Sequence, residues 1–247
     1  MKLITLNAWG GRICEPLIDF IKKHQDVDIF CMQEIYHEAF ERDEYWHHEI
    51  NSNLFNDLKK VFPNHNCFFD SHLEDWWGLA IFVNKKFPII EHGDKFVHLQ
   101  KGYNVDLEKQ GYTAKNIQYI TIMLNNKKLT VINLHGLWNN KGKGDFEERI
   151  TQSKNIINFA KKLKNDFIIC GDFNLLPETK SLKLIEQELG LRNLISEYGI
   201  TSTRTSYYKK EHKFADYVFI TPGIIVKDFK VLPDEVSDHN PVYFEFE

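Results

Sequence analysis

The chain has 247 residues, 43% hydrophobic and 14% aromatic, a composition that excludes intrinsic disorder and supports a packed core. With 31 basic and 35 acidic residues its net charge is −4, which excludes a chain devoted in bulk to nucleic acid but leaves room for a local basic patch. The length suits one large α/β unit, so residues 1–247 are expected to form a single domain.

Residues 1–7 run straight into a strand-like segment with no charged n-region and apolar h-region, and no apolar run is long enough to cross a bilayer. A cytoplasmic monomer without a membrane span is therefore expected. The four cysteines, Cys14, Cys31, Cys67 and Cys170, lack metal spacing and read as reduced, packed thiols.

Residues 2–7 form the first predicted strand, broken by Gly10 and Gly11 before a helix with Ile13, Leu17, Ile18, Phe20 and Ile21 on its apolar stripe. A second strand, residues 28–33, ends at Glu34. Strand, helix, strand is the pattern of a parallel crossover, which puts Asn7 and Glu34 at the carboxyl ends of neighbouring strands, where ligands of α/β sheets collect. Residues 35–50 are polar and aromatic, and their His37, His47 and His48 match no familiar metal spacing, reading instead as exposed or capping residues. Leu54, Phe55, Leu58 and Val61 predict a helix stopped at Pro63. Phe68-Phe69 and residues 79–83 read as strands around Trp76 and Trp77, a pair read as core ahead of a substrate platform. After a turn at 84–87 and Ile89-Ile90, residues 94–115 read as a strand and a long loop that contains Tyr103.

Residues 117–124 and 129–134 form a predicted hairpin ending at His135-Gly136. A loop, 139–144, precedes a helix from Phe146 to about Leu163, with Asp145 and Glu148 resembling its capped start. Pro177 and Glu178 open a further helix closed by Gly190. Short strands are expected at 201–205, 216–220, 224–231 and 242–246.

Residues 167–170 read as a buried strand that delivers Asp172 and Asn174 past Gly171. Alternate residues of an extended chain share a side, so Asp172 and Asn174 project together while Phe173 turns inward. An isolated Asp-x-Asn is usually only a turn former. Here Glu34 and the pair Asp238-His239 also follow apolar runs, and Asn7, His135 and Asp216 add further polar groups at strand ends. Carboxylates and carboxamides without cysteine suit Mg²⁺ or Mn²⁺.

The motifs Leu6-Asn7, Gln33-Glu34, Asn133-Leu134-His135-Gly136, Gly171-Asp172-Phe173-Asn174, Ala215-Asp216-Tyr217-Val218-Phe219 and Ser237-Asp238-His239 resemble, in content and order, those of the endonuclease/exonuclease/phosphatase superfamily. DNase I, apurinic endonucleases, sphingomyelinases and inositol polyphosphate 5-phosphatases belong to it. The resemblance implies an α/β four-layered sandwich, two mixed β-sheets face to face with helices on the outer faces, and a metal-dependent phosphoesterase. By it, Glu34 is the principal metal ligand, supported by Asn7 and Asp238. Asp172 then orients or deprotonates the attacking water, Asn174 helps hold the phosphoryl group, and His135 is a second phosphate contact or general acid. His239 is expected to pair with Asp216 and to be protonated, stabilising transition-state charge. Arg149 and Gln152, three residues apart on one predicted helix face, resemble an Arg and Gln that many members carry after the His motif, which makes Arg149 a candidate substrate-binding residue, with a solvated helix face the alternative. The expected substrate is a phosphodiester of a nucleic acid or nucleotide, tracked by Lys127-Lys128, Lys141 with Lys143, and Lys209-Lys210. A phosphatase, a phospholipid phosphodiesterase and an inactive binding module of the same fold are the alternatives.

Overall fold

In a computed structural model, which describes residues 1–40, 49–101, 113–139 and 142–247, the first strand, β1 (Lys2–Asn7), sorts its side chains onto two faces. Ile4 and Leu6 pack toward helices α1 (Cys14–Lys23) and α2 (Leu54–Val61), whereas Leu3 joins the main core. This period of two repeats in β2 (Ile29–Tyr36), where Phe30 and Met32 face the helices and Ile29 and Cys31 face inward. Such two-sided burial belongs to strands covered on both faces.

Two six-stranded mixed sheets result. One is ordered β11 (Val226–Val231), β12 (Val242–Phe246), β1, β2, β4 (Trp77–Asn84), β3 (His65–Leu73). The other is ordered β5 (Ile89–His98), β6 (Lys115–Leu124), β7 (Lys127–His135), β8 (Asp166–Asp172), β10 (Asp216–Ile220), β9 (Arg192–Asn193). Helices α3 (Glu147–Ala160) and α4 (Lys180–Leu189) bury Ile156, Ile157, Leu182 and Ile185 against the second sheet, and a short α5 (Leu194–Glu197) follows β9. The four layers match the expected architecture. No described helix is long and apolar enough to cross a membrane.

Each sheet has a parallel pair at its centre. β1 and β2 run in parallel with Asn7 beside Gln33, and β7 and β8 run in parallel with His135 beside Asp172. Between the pairs lies a buried amide bridge. Gln33 Nε2 donates to Asn133 Oδ1 at 2.7 Å and to Thr5 Oγ1 at 3.2 Å, and Asn133 Nδ2 donates to the Met32 carbonyl at 3.0 Å. Cys31 and Cys170 are buried beneath this bridge as free thiols, and all four cysteines are free.

Several expected boundaries shift. Residues 89–98 form one strand through Gly93, and β3 is longer than Phe68-Phe69. The strand expected at 201–205 is a single bridge between Arg204 and His239, because Thr203 and Thr205 also engage the 213–216 and 237–240 segments through side chains. Asp145 does not cap α3. Its carboxylate instead accepts from the Lys180 and Ser181 amides at the start of α4, where exposed N–H groups and the helix dipole favour an anion.

Replacing Asn133 with Leu removes the shortest acceptor of the buried Gln33 amide, which keeps only its longer bonds to Thr5 Oγ1 and the Cys31 carbonyl, and takes the side-chain donor from the Met32 carbonyl. The expected cost is about 2–3 kcal/mol, read as a lower urea midpoint at unchanged m-value. An unshifted midpoint would show that the bridge is dispensable.

Candidate active site

The carboxyl ends of the two parallel pairs meet at Asn7. Its Nδ2 donates to Glu34 Oε1 at 2.9 Å and to Asp172 Oδ2 at 3.0 Å, while its Oδ1 accepts from the Trp9 amide at 2.9 Å. One carboxamide thus links a carboxylate of each sheet. Glu34 lies where the pairing of β2 with β4 slips, and its φ of 55° is a left-handed value that a side chain seldom adopts. The bulge turns Glu34 out of strict alternation toward the site. Asn174 has the same φ of 55°; its amide donates to Asp172 Oδ1 at 2.8 Å and its Nδ2 to the Gly136 carbonyl at 3.3 Å. At Gly171, φ is 134° and an added Cβ would sit 2.1 Å from the Leu134 carbonyl oxygen, so only glycine lets β8 close on β7 beside Asp172.

Ligand atoms of Glu34, His135 and Asp172 lie within 4.8 Å of one another, and so do those of Asp172, Asp216 and His239. Asp172 is common to both groups. Asp216 stands opposite it in the β8–β10 ladder. Asp238 accepts from Arg204 at 3.0 Å through Oδ2, whereas its buried Oδ1 has no hydrogen-bond partner among the described residues. Burial, reinforced by Asp238 and Asp172 and opposed by the Asn7 amide, raises the Glu34 carboxyl to about 7, with 26% of its side chain still open to solvent. Crowded carboxylates, an orphaned oxygen and a carboxamide form a hard-oxygen donor set that fits a divalent cation.

His239 corrects an expectation. The pairing is present, with Nδ1 2.9 Å from both Asp216 oxygens. Burial, then the Arg204 charge, push the imidazole down to about 3, and burial raises Asp216 to about 6. A neutral ring donates Nδ1–H to Asp216 and leaves Nε2 as an acceptor, 3.5 Å from Asp172 Oδ2 and 3.7 Å from Asp238 Oδ1. His135 is likewise held neutral, by burial and then Lys115; its Nε2 lies 3.7 Å from Glu34 and 4.0 Å from Asp172.

Arg149 is the second correction. Nε and Nη2 donate to the Leu137 carbonyl, and Nη1 to those of Gly142 and Gly144. Gln152 Oε1 accepts from the Leu137 amide at 3.1 Å. The pair pins the loop after His135, and a guanidinium so engaged with main chain is a positioning group rather than a substrate contact.

The sequence reading missed three cations. Lys115 is 2% exposed, with Nζ 3.5 Å from His135 Nδ1 and 4.8 Å over the Trp77 ring. Lys143, read only as part of a surface track, is 4% exposed, and Arg204 packs against Tyr208 beside it. Burial pushes both lysines down to about 8. No periodicity marks a lysine in a polar loop as buried. The rest of the expected track divides. Lys127 and Lys128 open β7, about 25 Å of extended chain from His135. Lys210 lies 5.9 Å over Trp138, and Lys209 donates to the Ser206 carbonyl. Lys141, Tyr103, His47 and His48 lie outside the described residues. His37 packs between Phe55 and Phe69, and Trp77 meets His135 edge-on at 5.8 Å.

A family model described as the Endonuclease/Exonuclease/phosphatase family matches residues 4–239. Among solved structures, mannosyl-6-phosphatase of Bacteroides thetaiotaomicron is similar with a TM-score of 0.77 at 20% identity, covering 100% of this chain and 99% of its own. A functionally unknown conserved protein of Enterococcus faecalis gives 0.76 at 20%, covering 100% and 99%. The human Nocturnin catalytic domain gives 0.68 at 16%, covering 100% and 93%. At these identities the likeness is one of fold. No curated protein matches the chain in sequence.

Replacing Arg149 with Met should cost about 2–3 kcal/mol and expose the 137–144 segment to protease. Lysine should not rescue it, since one ammonium cannot reproduce the planar fork. Urea melts with mapped limited proteolysis check this; unchanged stability with only a raised KM would return Arg149 to the substrate side.

Proposed function

Because the chain belongs to the endonuclease/exonuclease/phosphatase family, we propose that it is a divalent-metal-dependent phosphoester hydrolase working where the two parallel strand pairs meet. The observation that carries this reading is the junction itself, where Asn7 binds Glu34 and Asp172 while Asp172 also faces the His239–Asp216 pair. Glu34 and Asp238, with Asn7, are the residues that would hold Mg²⁺ or Mn²⁺. When bound, such a cation supplies positive charge to the phosphoryl and leaving oxygens.

His239 Nε2 and Asp172 Oδ2, 3.5 Å apart, are both acceptors. A water bridging the two from the substrate side would direct one O–H to each and keep a lone pair for phosphorus. As the new P–O bond forms, the water's proton passes to Nε2, where Asp216 stabilises the imidazolium. The ester P–O bond breaks with its electron pair on the alcohol oxygen, that oxygen takes a proton from solvent, and the imidazolium returns its own to solvent, giving alcohol and phosphate with His239 neutral again. Asn174 and His135, beside Asp172, take the role of binding the non-bridging oxygens in this reading.

A nucleic-acid or nucleotide diester, the substrate expected from sequence, is supported by the exposed rings of Trp138 and Tyr207 and by Arg12 over Trp9. The position of Lys127 and Lys128 removes part of the track that favoured it. Phosphomonoester hydrolysis, the activity named for the Bacteroides neighbour, is the second reading, favoured by the buried Lys143 and Arg204.

Hydrolysis of bis-p-nitrophenyl phosphate or p-nitrophenyl phosphate should appear with Mg²⁺ or Mn²⁺ and vanish with chelator. Glu34→Gln should lower it on the order of a thousandfold, about 4 kcal/mol, with the fold intact. Asp216→Asn should lower kcat on the order of a hundredfold at similar KM. A Glu34→Gln enzyme retaining a tenth of parental activity at saturating metal would remove Glu34 from the ligand set.

A further inference from the structure

Lys143 is fixed at four points of main chain. Arg149 holds the carbonyls on either side of it, Gly142 and Gly144; the Leu176 amide donates to its own carbonyl at 3.1 Å; and its Nζ donates to the Phe214 carbonyl at 2.8 Å. Phe214 lies two residues before Asp216, so the ammonium stands next to the strand that carries the His239 partner. An ammonium has three donors, and the Phe214 carbonyl takes one. The charges that bear on Nζ are Arg204, which repels it, and Asp172, Asp216 and Asp238, which attract it.

Arg204 has the same character. Its side chain is 4% exposed, and Nη1 binds Asp238, but its buried Nε has no partner among the described residues. The Tyr208 ring carries both cations, with the Arg204 guanidinium 4.1 Å and the Lys143 ammonium 5.3 Å from its centroid. Lys115 occupies the other flank, beside His135. Asp238 neutralises the guanidinium through Nη1, so the Arg204 Nε and the remaining N–H groups of Lys143 are the donors left for an incoming anion.

We infer that Lys143, backed by Arg204 and Tyr208, recognises the second negative charge of a phosphomonoester, so that the site selects terminal phosphate groups over diesters. The inference rests on the phosphoesterase reading and adds the substrate class and its determinant. A diester phosphate carries one charge and two bulky substituents. A monoester offers three free oxygens and, when fully ionised, two charges, which matches fixed cations on both flanks of the carboxylates. In a buried site that second charge is worth tens- to hundreds-fold in affinity.

The test compares p-nitrophenyl phosphate with methyl p-nitrophenyl phosphate, which share a leaving group and differ by one charge, using the Mg²⁺-loaded full chain. Lys143→Met should lower the monoester-to-diester ratio of kcat/KM at least about thirtyfold, and Lys143→Arg should restore most of it. A ratio unchanged in Lys143→Met would overturn the inference. A nucleoside 5′-monophosphate and a hexose 6-phosphate serve as further arms that distinguish a nucleotide source of the phosphate from a sugar source. In either, turnover by the parent that falls at least thirtyfold in Lys143→Met supports the inference, and turnover that does not fall overturns it. Calorimetry separates this inference from the proposed reaction. If the parent hydrolyses none of these esters, the phosphoesterase reading fails, yet inorganic phosphate should still bind the parent at least tenfold more tightly than Lys143→Met, with dimethyl phosphate showing no such gap. Equal phosphate affinity in folded parent and variant would overturn the Lys143 assignment whatever the turnover.

Discussion

The hydrogen bond between Gln33 and Asn133, 2.7 Å long and wholly buried, sets the register of one sheet upon the other. Apolar packing alone tolerates sliding, because it is nondirectional; an amide pair in a low-dielectric interior does not. Gln33 immediately precedes Glu34, and Asn133 lies two residues before His135. A slip at this bridge would carry Glu34 away from His135 and Asp172. Asn7, in register with Gln33, repeats the device, with its amide binding a carboxylate from each sheet.

What the bridge holds together is a concentration of like charge. Glu34, Asp172, Asp216 and Asp238 surround one space, and the raised carboxyl groups of Glu34, near 7, and Asp216, near 6, register how poorly water relieves it. Burial is the leading cause in both. Fixed cations answer part of the imbalance, with Arg204 on Asp238 and Lys115 beside His135. They do not reach Asp238 Oδ1, which keeps no partner among the described residues. The site is thus arranged for charge that arrives from outside, a cation for the carboxylates and an anion for the lysines.

The strands and the polar residues at their ends could be read from sequence because both depend on local periodicity, whereas the four layers followed from the family resemblance. Alternation in residues 2–7 and 167–172 dictates which side chains emerge together, whatever the partner strand. Arg204 and Lys143 escaped because burial of a cation depends on segments distant in sequence; Lys143 is enclosed by Arg149, Phe214 and Tyr208. The same cause inverted His239. An aspartate partner favours the imidazolium, but burial and the charges of Arg204 and Lys143 outweigh it. Arg149 and Gln152 were correctly placed on one helix face, yet the spacing carried no information about which neighbour that face meets.

Arg149 joins the strand end that carries His135 to the backbone around Lys143. Its guanidinium grips Leu137, two residues beyond His135, and with the same plane grips Gly142 and Gly144 on either side of Lys143. Leu137 and the carbonyls flanking Lys143 are thus tied to one side chain. A flexible loop would lose side-chain and backbone entropy each time substrate bound, a cost that falls on affinity. With the carbonyls on either side of Lys143 held by one buried arginine, less of that cost falls on binding at this residue.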